Sequence, residues 1–370
     1  MSDMRVRGGS LDVDILGGVI GGVIAPSSGP VLDATGLTVL PGLIDLQVNG
    51  AAGLDVTAQP ERLWEVGAAL AAYGVTGWLP TVITSEPRAR DRALATLSAG
   101  PPVGWVGALP LGLHFEGPMI ARDRRGAHPE QWLRPPTLDL VEGWSREAGV
   151  TMVTLAPELP GAIAVVEALV GRGIVVSVGH TAAGTADVEA AVAAGARCVT
   201  HLGNAMAPML SREPGPVGAA LGRSDLVSGV ICDGHHVHDD FLRTAWRTLG
   251  PDRFLSVSDA TAALGLPDGA TRLGDQEVFV AGGTVRLADG TLAGSAASLV
   301  ACLRVLRTAT GCDLDEAVAT ATTTPAALLG DATRGRIAPG LRGDLTLVDD
   351  DLVPVVTVVG GVVAYDARGL

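Results

Sequence analysis

Six of the seven histidines in this chain of 370 residues stand at or just beyond the ends of short apolar segments, beside carboxylates and amides. Imidazole and carboxylate groups bind divalent transition metals and transfer protons near neutral pH. A structural role is an ordinary alternative for any one histidine, but it does not explain their concentration at segment ends. We therefore expect one functional site. The polar side chains at these positions are Gln47, Asn49, His114, Glu116, His180, His201, Asn204, Asp233, His235, His236, His238 and Asp259.

Glu116, His180 and His201 are the best candidates for metal ligands. Two histidines and one carboxylate from separate strands suffice for a catalytic zinc-type site, which keeps one position open for water. Asp259 is the natural general base, because the attacking water must lose a proton. Structural alternatives stay open, namely a buried hydrogen-bond network for Glu116 and a helix start for Asp259 or the residue after His180. Zn²⁺ suits these ligands best, with Fe²⁺, Co²⁺ and Mn²⁺ as alternatives.

The elements that must position these side chains form a repeating pattern. Apolar, β-branched segments alternate with helix-like stretches at residues 61–73, 161–172, 185–194 and 239–249. Such alternation is typical of a parallel sheet that is covered on both faces. Eight units within about 220 residues favour a closed (β/α)₈ TIM-type barrel, in which active sites lie at the carboxyl ends of the strands. The eight predicted strands are residues 40–48, 75–83, 111–115, 150–155, 174–178, 198–200, 228–231 and 254–257.

The two ends of the chain differ from its middle. Residues 1–40 and 335–370 alternate in the manner of strands, with glycine and proline turns and no clear helical period. We expect both ends to pair into one small β-sandwich domain beside a barrel domain formed by residues 41–334.

Composition excludes several classes of function. The net charge of −14 argues against nucleic acid or an anionic membrane as partner. All 26 basic residues are arginine, so Schiff-base, P-loop-lysine and carboxylated-lysine chemistry are excluded. The four cysteines show no metal or disulfide spacing, and we find no targeting segment. These features predict a cytoplasmic protein.

Taken in order and spacing, the motifs resemble one known family. LPGLIDLQVNG, LHFEGP, VGHTAAG, THLGNAM, SREPG, ICDGHHV, VSDAT and LAGSAASL, over about residues 40–300, look like the N-acetylglucosamine-6-phosphate deacetylases of the amidohydrolase superfamily. The resemblance implies hydrolysis of the acetamide of N-acetylglucosamine 6-phosphate to glucosamine 6-phosphate and acetate. It implies one divalent metal ion per subunit on Glu116, His180 and His201, a metal-activated water, and Asp259 as acid and base.

The resemblance also implies a substrate site in a homodimer. Arg212 matches an arginine that reaches the substrate phosphate from the neighbouring subunit, and guanidinium suits phosphate oxygens. A surface ion pair between Arg212 and Glu213 is the alternative. The residues that match the family's substrate contacts are Ala127, His128, Asn204, Ala205, Arg212, His236, Leu292, Ala293 and Gly294.

Two departures narrow this interpretation. Many amidohydrolases have His-x-His where this chain has Gln47 and Asn49, which with the absence of lysine excludes a lysine-bridged pair of metals. Gly203 replaces a bulkier residue, which predicts a wider sugar pocket.

His235 and His238 match no family role. Open alternatives are a deacylase of another N-acyl amino sugar phosphate or of an N-acyl amino acid, and a non-catalytic scaffold, although a scaffold predicts loss of the ligands that this chain retains.

Overall fold

The computed structural model describes residues 3–21 and 29–369, and its central element is a ring of eight parallel strands. Almost every residue in these strands is buried, because their β-branched and apolar side chains face either the barrel interior or the surrounding helices. The ring closes where Val48 of the first strand bridges Ala260 just after the last. The prediction of a (β/α)₈ barrel is confirmed. The strands are Leu43–Val48, Val75–Ile83, Leu113–Glu116, Val150–Leu155, Val175–Val178, Cys198–Val199, Val227–Ile231 and Phe254–Val257.

Helices surround the ring and bury their apolar faces against it. Among the described residues no helix is long and apolar enough to span a membrane. After the third strand the chain forms no α-helix up to the fourth strand and runs instead through short 3₁₀ turns at Arg122–Arg124, Glu130–Trp132 and Asp139–Val141. A further 3₁₀ turn is Pro60–Arg62. The α-helices are Leu63–Ala71, Pro87–Ala99, Ala162–Gly171, Thr185–Ala193, Gly215–Gly222, Asp239–Arg253, Leu299–Thr310, Leu314–Ala319 and Thr323–Leu329.

Both ends of the chain form small sheets with an apolar core of their own. Val6 and Ile15 from the beginning of the chain pack with Leu347, Val356 and Val358 from its end. This separate core supports the predicted division into residues 41–334 and residues 1–40 with 335–370, which stays a prediction; residues 1–2, 22–28 and 370 lie outside the described part. One sheet contains Met4–Arg7, Val13–Leu16, Val19–Ile20 and Val31–Asp33, and the other contains Thr38–Pro41, Leu345–Val348, Pro354–Val359 and Val362–Asp366.

A four-stranded antiparallel sheet, which we call the cover sheet (residues 269–295), lies at the mouth of the barrel. Its side chains alternate between buried and exposed, and its second hairpin turns at Gly282 and Gly283, both with positive φ. This sheet was not predicted from the sequence. Its strands are Gly269–Leu273, Gln276–Ala281, Thr284–Arg286 and Leu292–Ser295, and the remaining short strands of the chain are Gly50–Ala51, Leu54–Asp55 and Leu109–Pro110.

A buried ion pair joins the end of the barrel to the last sheet. Arg334 and Asp344 are 7% and 5% exposed, with Nε and Oδ2 3.5 Å apart. Asp344 is also held by Arg342, whose Nε lies 3.0 Å from Asp344 Oδ1, so loss of Arg334 leaves the carboxylate only partly compensated. We therefore expect Arg334→Ala to lower the free energy of unfolding by about 1–3 kcal/mol, as measured by urea titration. The exposed Arg336 gives the matched control, because Arg336→Ala should change that free energy by less than about 0.5 kcal/mol. Equal losses in the two variants would contradict a stabilising role of the pair.

Candidate metal centre and active site

Glu116, His180 and His201 converge at the carboxyl ends of the third, fifth and sixth barrel strands. Glu116 Oε1 lies 3.2 Å from His180 Nε2 and 3.1 Å from His201 Nε2, and the two imidazole nitrogens are 3.0 Å apart. All three side chains are buried. Burial acts to raise the pKa of Glu116, but the two adjacent histidines hold that pKa well below its usual range.

The hydrogen-bond pattern around this cluster fits a divalent cation. His180 Nδ1 lies 2.9 Å from the carbonyl oxygen of Arg124, so Nδ1 carries the proton and Nε2 presents a lone pair. That lone pair faces a carboxylate oxygen and a second imidazole, an arrangement that a positive charge stabilises. Ligand atoms around a tetrahedral ion with bonds of about 2.0 Å stand roughly 3.3 Å apart, close to the separations found here. The donor set therefore fits a metal ion.

The backbone at the site has an uncommon conformation. His180, His201 and Asp259 have φ values of 49°, 32° and 49°, and Ala205 has 50°. Residues other than glycine rarely adopt positive φ, at a cost of about 1–3 kcal/mol each, and such residues cluster at functional sites. A barrel strand ends two residues before His180, before His201 and before Asp259. The turn places the side chain at the mouth of the barrel.

Asp259 lies in the same cavity and is held by an amide. Asn49 Nδ2 donates a hydrogen bond of 2.7 Å to Asp259 Oδ1. Burial, and then the negative charge of Glu116, raise the pKa of Asp259 to about 8. A cation beside Glu116 would act in the opposite direction, because positive charge favours the ionised carboxyl.

His128 presents a hydrogen-bond donor to the same space. The Thr84 hydroxyl lies 2.8 Å from His128 Nδ1, and the backbone N–H of Thr84 donates to the same nitrogen over 3.3 Å. Nδ1 therefore accepts, and the proton of the neutral ring is on Nε2. Nε2 stands 3.8 Å from Glu116 Oε2. Burial, and then the nearby His180, lower the pKa of His128 to about 3, so the imidazole is a neutral donor. Thr84 was not singled out from the sequence.

His236 is oriented by a neighbouring carboxylate. Its Nδ1 lies 2.7 Å from Asp233 Oδ2, and Asp233 Oδ1 also accepts the backbone N–H groups of His235 and His236. These three contacts fix the loop after the seventh strand and leave the other ring nitrogen of His236 available to a ligand. Asp233 is part of the ICDGHHV motif, but only the structure shows that it orients His236.

One cavity of about 290 Å³ unites most of these residues. It has the concave form and the few converging polar groups that are typical of a small-molecule site. The cover sheet supplies part of the cavity wall through Leu273, Thr291, Leu292 and Gly294. The predicted site residues that line the cavity are Glu116, Ala127, His128, His180, His201, Asn204, Ala205, His236, Asp259, Leu292 and Gly294.

Two predicted substrate contacts do not line this cavity. Ala293 is buried in the apolar cluster beneath the cover sheet, because successive side chains of a strand point to opposite faces. Arg212 is exposed on the loop before helix Gly215–Gly222. Glu213 does not pair with it, since the Glu213 carboxylate accepts hydrogen bonds from Thr185 N and Oγ1. Any contact between Arg212 and a substrate must therefore come from another copy of the chain or from a movement of the loop.

The structure also shows where four other residues considered in the sequence analysis lie. Gly203 has φ of 88°, and a Cβ there would lie 2.9 Å from the Phe241 ring outside the cavity wall, so the prediction of a wider pocket is wrong. His235 and His238 are exposed, and His238 accepts the Asp240 N–H at a helix start. His114 lies inside the barrel, with Nε2 2.8 Å from Thr154 Oγ1, and burial lowers its pKa to about 4.

Comparison with known proteins gives a consistent result. The model of the amidohydrolase family matches residues 38–364. An N-acetylglucosamine-6-phosphate deacetylase of Caenorhabditis elegans is 39% identical over 350 residues, which cover 89% of this chain and 83% of that protein. One of Bacillus subtilis is 35% identical over 337 residues, covering 89% of this chain and 85% of that protein.

Solved structures agree with the sequence matches. The N-acetylglucosamine-6-phosphate deacetylase of Thermotoga maritima superimposes with a TM-score of 0.87 at 31% identity, covering 96% of this chain and 95% of that chain. A variant of the Mycobacterium smegmatis enzyme, solved in complex with N-acetyl-D-glucosamine-6-phosphate, gives a TM-score of 0.87 at 31% identity, covering 99% of this chain and 100% of that chain.

Proposed function

Since this chain belongs to the amidohydrolase family, we propose that it removes the acetyl group from N-acetylglucosamine 6-phosphate and releases glucosamine 6-phosphate and acetate. One observation carries the proposal. Glu116, His180, His201 and Asp259 line a single cavity in a chain that matches deacetylases of this type over about nine-tenths of its length.

Each group in the cavity has a task in amide hydrolysis. Glu116, His180 and His201 would hold a divalent ion, whose Lewis acidity would lower the pKa of water and polarise a carbonyl oxygen. The Nε2–H of His128 donates a hydrogen bond to the acyl oxygen as negative charge develops there. Asp259 accepts a proton from the attacking water and returns it to the nitrogen. This second transfer is needed because an amine leaves readily only when it is protonated.

Acetate release is the direct test of this function. The purified protein should release acetate from N-acetylglucosamine 6-phosphate, lose that activity when a chelator removes its metal, and regain it when Zn²⁺ is added back. A parallel panel of other N-acetylated amino sugar phosphates and N-acetyl amino acids measures specificity. A preference for a member of this panel would contradict the assigned substrate while leaving the reaction class in place.

Zn²⁺ is the proposed ion, supported by the two imidazoles and one carboxylate that form the cluster. The same donors also accept Fe²⁺, Co²⁺ and Mn²⁺. Elemental analysis of protein purified without added metal decides between these ions. We also propose a cytoplasmic location, since all four cysteines are buried free thiols, as is usual in a reducing compartment.

We further propose a homodimer in which Arg212 reaches the active site of the neighbouring subunit. The loop that contains Arg212 also exposes Met209 and Leu210, which are 56% and 58% accessible. Neighbouring exposed apolar side chains of this size are typical of a surface that a partner covers. The exposed Arg212 would then supply the local positive charge that binds a phosphate. Such a charge is needed because the overall charge of the protein is −14.

We expect Arg212→Ala to raise KM for N-acetylglucosamine 6-phosphate about 10- to 100-fold, because charge-assisted hydrogen bonds to a phosphate are lost. The KM for unphosphorylated N-acetylglucosamine should barely change, as steady-state kinetics on both sugars would show. Arg223→Ala is the matched control, since Arg223 is another surface arginine but pairs with Asp225. If Arg212→Ala raises the KM of both sugars by the same factor, the assignment of Arg212 to the phosphate is wrong.

A further inference from the structure

Two buried amides of the first barrel strand each contact one carboxylate of the site. Gln47 and Asn49 stand two residues apart, so both side chains project from the same side of the extended chain. Gln47 Nε2 donates to Glu116 Oε1 over 3.1 Å, and Asn49 Nδ2 donates to Asp259 Oδ1 over 2.7 Å. The first amide therefore acts on a metal ligand, and the second acts on the acid–base residue.

Asn49 is itself held by the segment that contains Asp259. Its backbone N–H donates to the carbonyl oxygen of Ala260 over 2.7 Å, and its own carbonyl accepts the Val56 N–H over 2.8 Å. The Asn49 side chain has little room to move, because the residue is 2% exposed. The amide and the carboxylate thus belong to one rigid unit at the point where the barrel closes.

The neighbouring glycine shows how closely this unit is packed. Gly294 has φ of 64°, and a Cβ there would lie 2.8 Å from the backbone oxygen of Asp259 and 3.7 Å from Asn49 Nδ2. The cover sheet, to which Gly294 belongs, therefore limits movement of Asn49 and Asp259. No other side-chain or backbone donor in the described part of the chain hydrogen-bonds to the Asp259 carboxylate.

We propose that Asn49 is a positioning residue for proton transfer by Asp259, an inference that rests on the proposed function. A hydrogen bond to Oδ1 fixes the rotation of the carboxylate and occupies that oxygen. The proton of the water is then received, and later released, by Oδ2. Proton transfer needs a separation of about 2.6–3.2 Å between heavy atoms, so a carboxylate that rotates freely spends less time in productive geometry.

A double-mutant cycle tests this role. We expect Asn49→Ala to lower kcat about 10- to 100-fold, the usual effect of losing a residue that orients a group at a metal site, with KM changed less than about twofold. In the Asp259→Asn background the same change should lower kcat by no more than about threefold, because Asn49 acts only through Asp259. Equal loss in both backgrounds, or a loss confined to KM, would overturn the proposal.

Gln47→Ala is the matched control, since Gln47 is a buried amide of the same strand. Its contact is with Glu116, so we expect weaker metal retention and a loss of kcat that persists in the Asp259→Asn background. Asn49→Ala should keep its full metal content in elemental analysis. Asn49→Asp separates packing from hydrogen bonding, because it keeps the size of the side chain but replaces the donor by a negative charge beside Asp259. A kcat close to wild type in Asn49→Asp would contradict the proposal.

A crystal structure of Asn49→Ala provides a readout that does not depend on the substrate. We expect the barrel to be unchanged and the Asp259 carboxylate to be rotated or present in two orientations. If Asn49→Ala fails to fold, Asn49→Ser replaces it in the cycle and in the crystal. An Asp259 carboxylate in its original orientation would refute the positioning role. Absence of acetate release by the wild-type protein would instead contradict the proposed function, and the orientation of Asp259 would still decide the present inference.

Discussion

Asp259→Asn is expected to lower the rate of acetate release about 10²- to 10⁴-fold, the usual contribution of general acid–base catalysis. The amide is nearly the same size as the carboxylate, but it neither accepts the proton of the attacking water nor returns it to the departing nitrogen. The three metal ligands are untouched, so metal content should stay at about one ion per chain. Steady-state kinetics measures the rate of acetate release, and elemental analysis of the same preparations measures the metal content.

Asp45→Asn is the matched control for that substitution. Asp45 is 1% exposed on the first barrel strand, its Oδ1 accepts hydrogen bonds from the backbone N–H groups of Gln47 and Ser258, and it does not line the cavity. Burial raises the pKa of Asp45 to about 7, and an amide oxygen can accept the same two hydrogen bonds. We expect turnover within about tenfold of wild type. Near-normal turnover in Asp259→Asn would remove Asp259 from the mechanism.

His201→Gln is expected to abolish stoichiometric metal binding and to lower turnover by roughly 10³-fold or more, since the Lewis acid contributes several kcal/mol of transition-state stabilisation. The substitution removes one of the three proposed metal ligands, a ring nitrogen that lies 3.1 Å from Glu116 Oε1. Elemental analysis and acetate release, each with and without added Zn²⁺, measure the two effects.

His114→Gln gives the comparison for loss of a buried histidine. His114 belongs to the same strand as Glu116, is fully buried, and contacts Thr154 inside the barrel without reaching the cavity. We expect this variant to retain its metal and to lose stability instead. Full metal content in His201→Gln, or equal metal loss in both variants, would contradict the ligand assignment.

The barrel and its metal cluster could be predicted because they depend on local patterns. The strand prediction for residues 150–155 matches Val150–Leu155, and residues 75–83 match Val75–Ile83, since both are apolar runs with clear boundaries. In a parallel barrel, residues that follow strands meet at one rim whatever their separation in sequence. Glu116, His180 and His201 are therefore brought together by topology.

The cover sheet could not be placed by the same reasoning. Antiparallel hairpins do not follow the strand–helix alternation of a barrel, although the alternation of Val278 and Val280 and the Gly282–Gly283 turn are typical of a hairpin. The orientations of Ala293 and Gly203 relative to the cavity could not be predicted for a related reason. Whether a side chain faces a cavity depends on the direction of its Cβ, which the residue type does not reveal.

The groups that orient the side chains of the site make contacts between distant segments. Thr84 reaches His128 across 44 residues, and the carbonyl of Arg124 reaches His180 across 56. Neither group has a distinctive spacing in the sequence. Asn49 was noticed as part of a motif, but its partner Asp259 lies 210 residues further along the chain. Such contacts become visible only when the barrel has closed.

The sheet that joins the two ends of the chain has a consequence for biosynthesis. Strand Thr38–Pro41 pairs with Leu345–Val348, and Val39 stands opposite Leu347. At about 5–20 residues per second, roughly 15 to 60 seconds of translation separate these two residues on the ribosome. The early strand therefore leaves the ribosome with an unpaired edge, at which nascent chains are most prone to aggregate. Assembly of this layer is a late, largely post-translational event, and chaperone binding during synthesis should concentrate on the first forty residues.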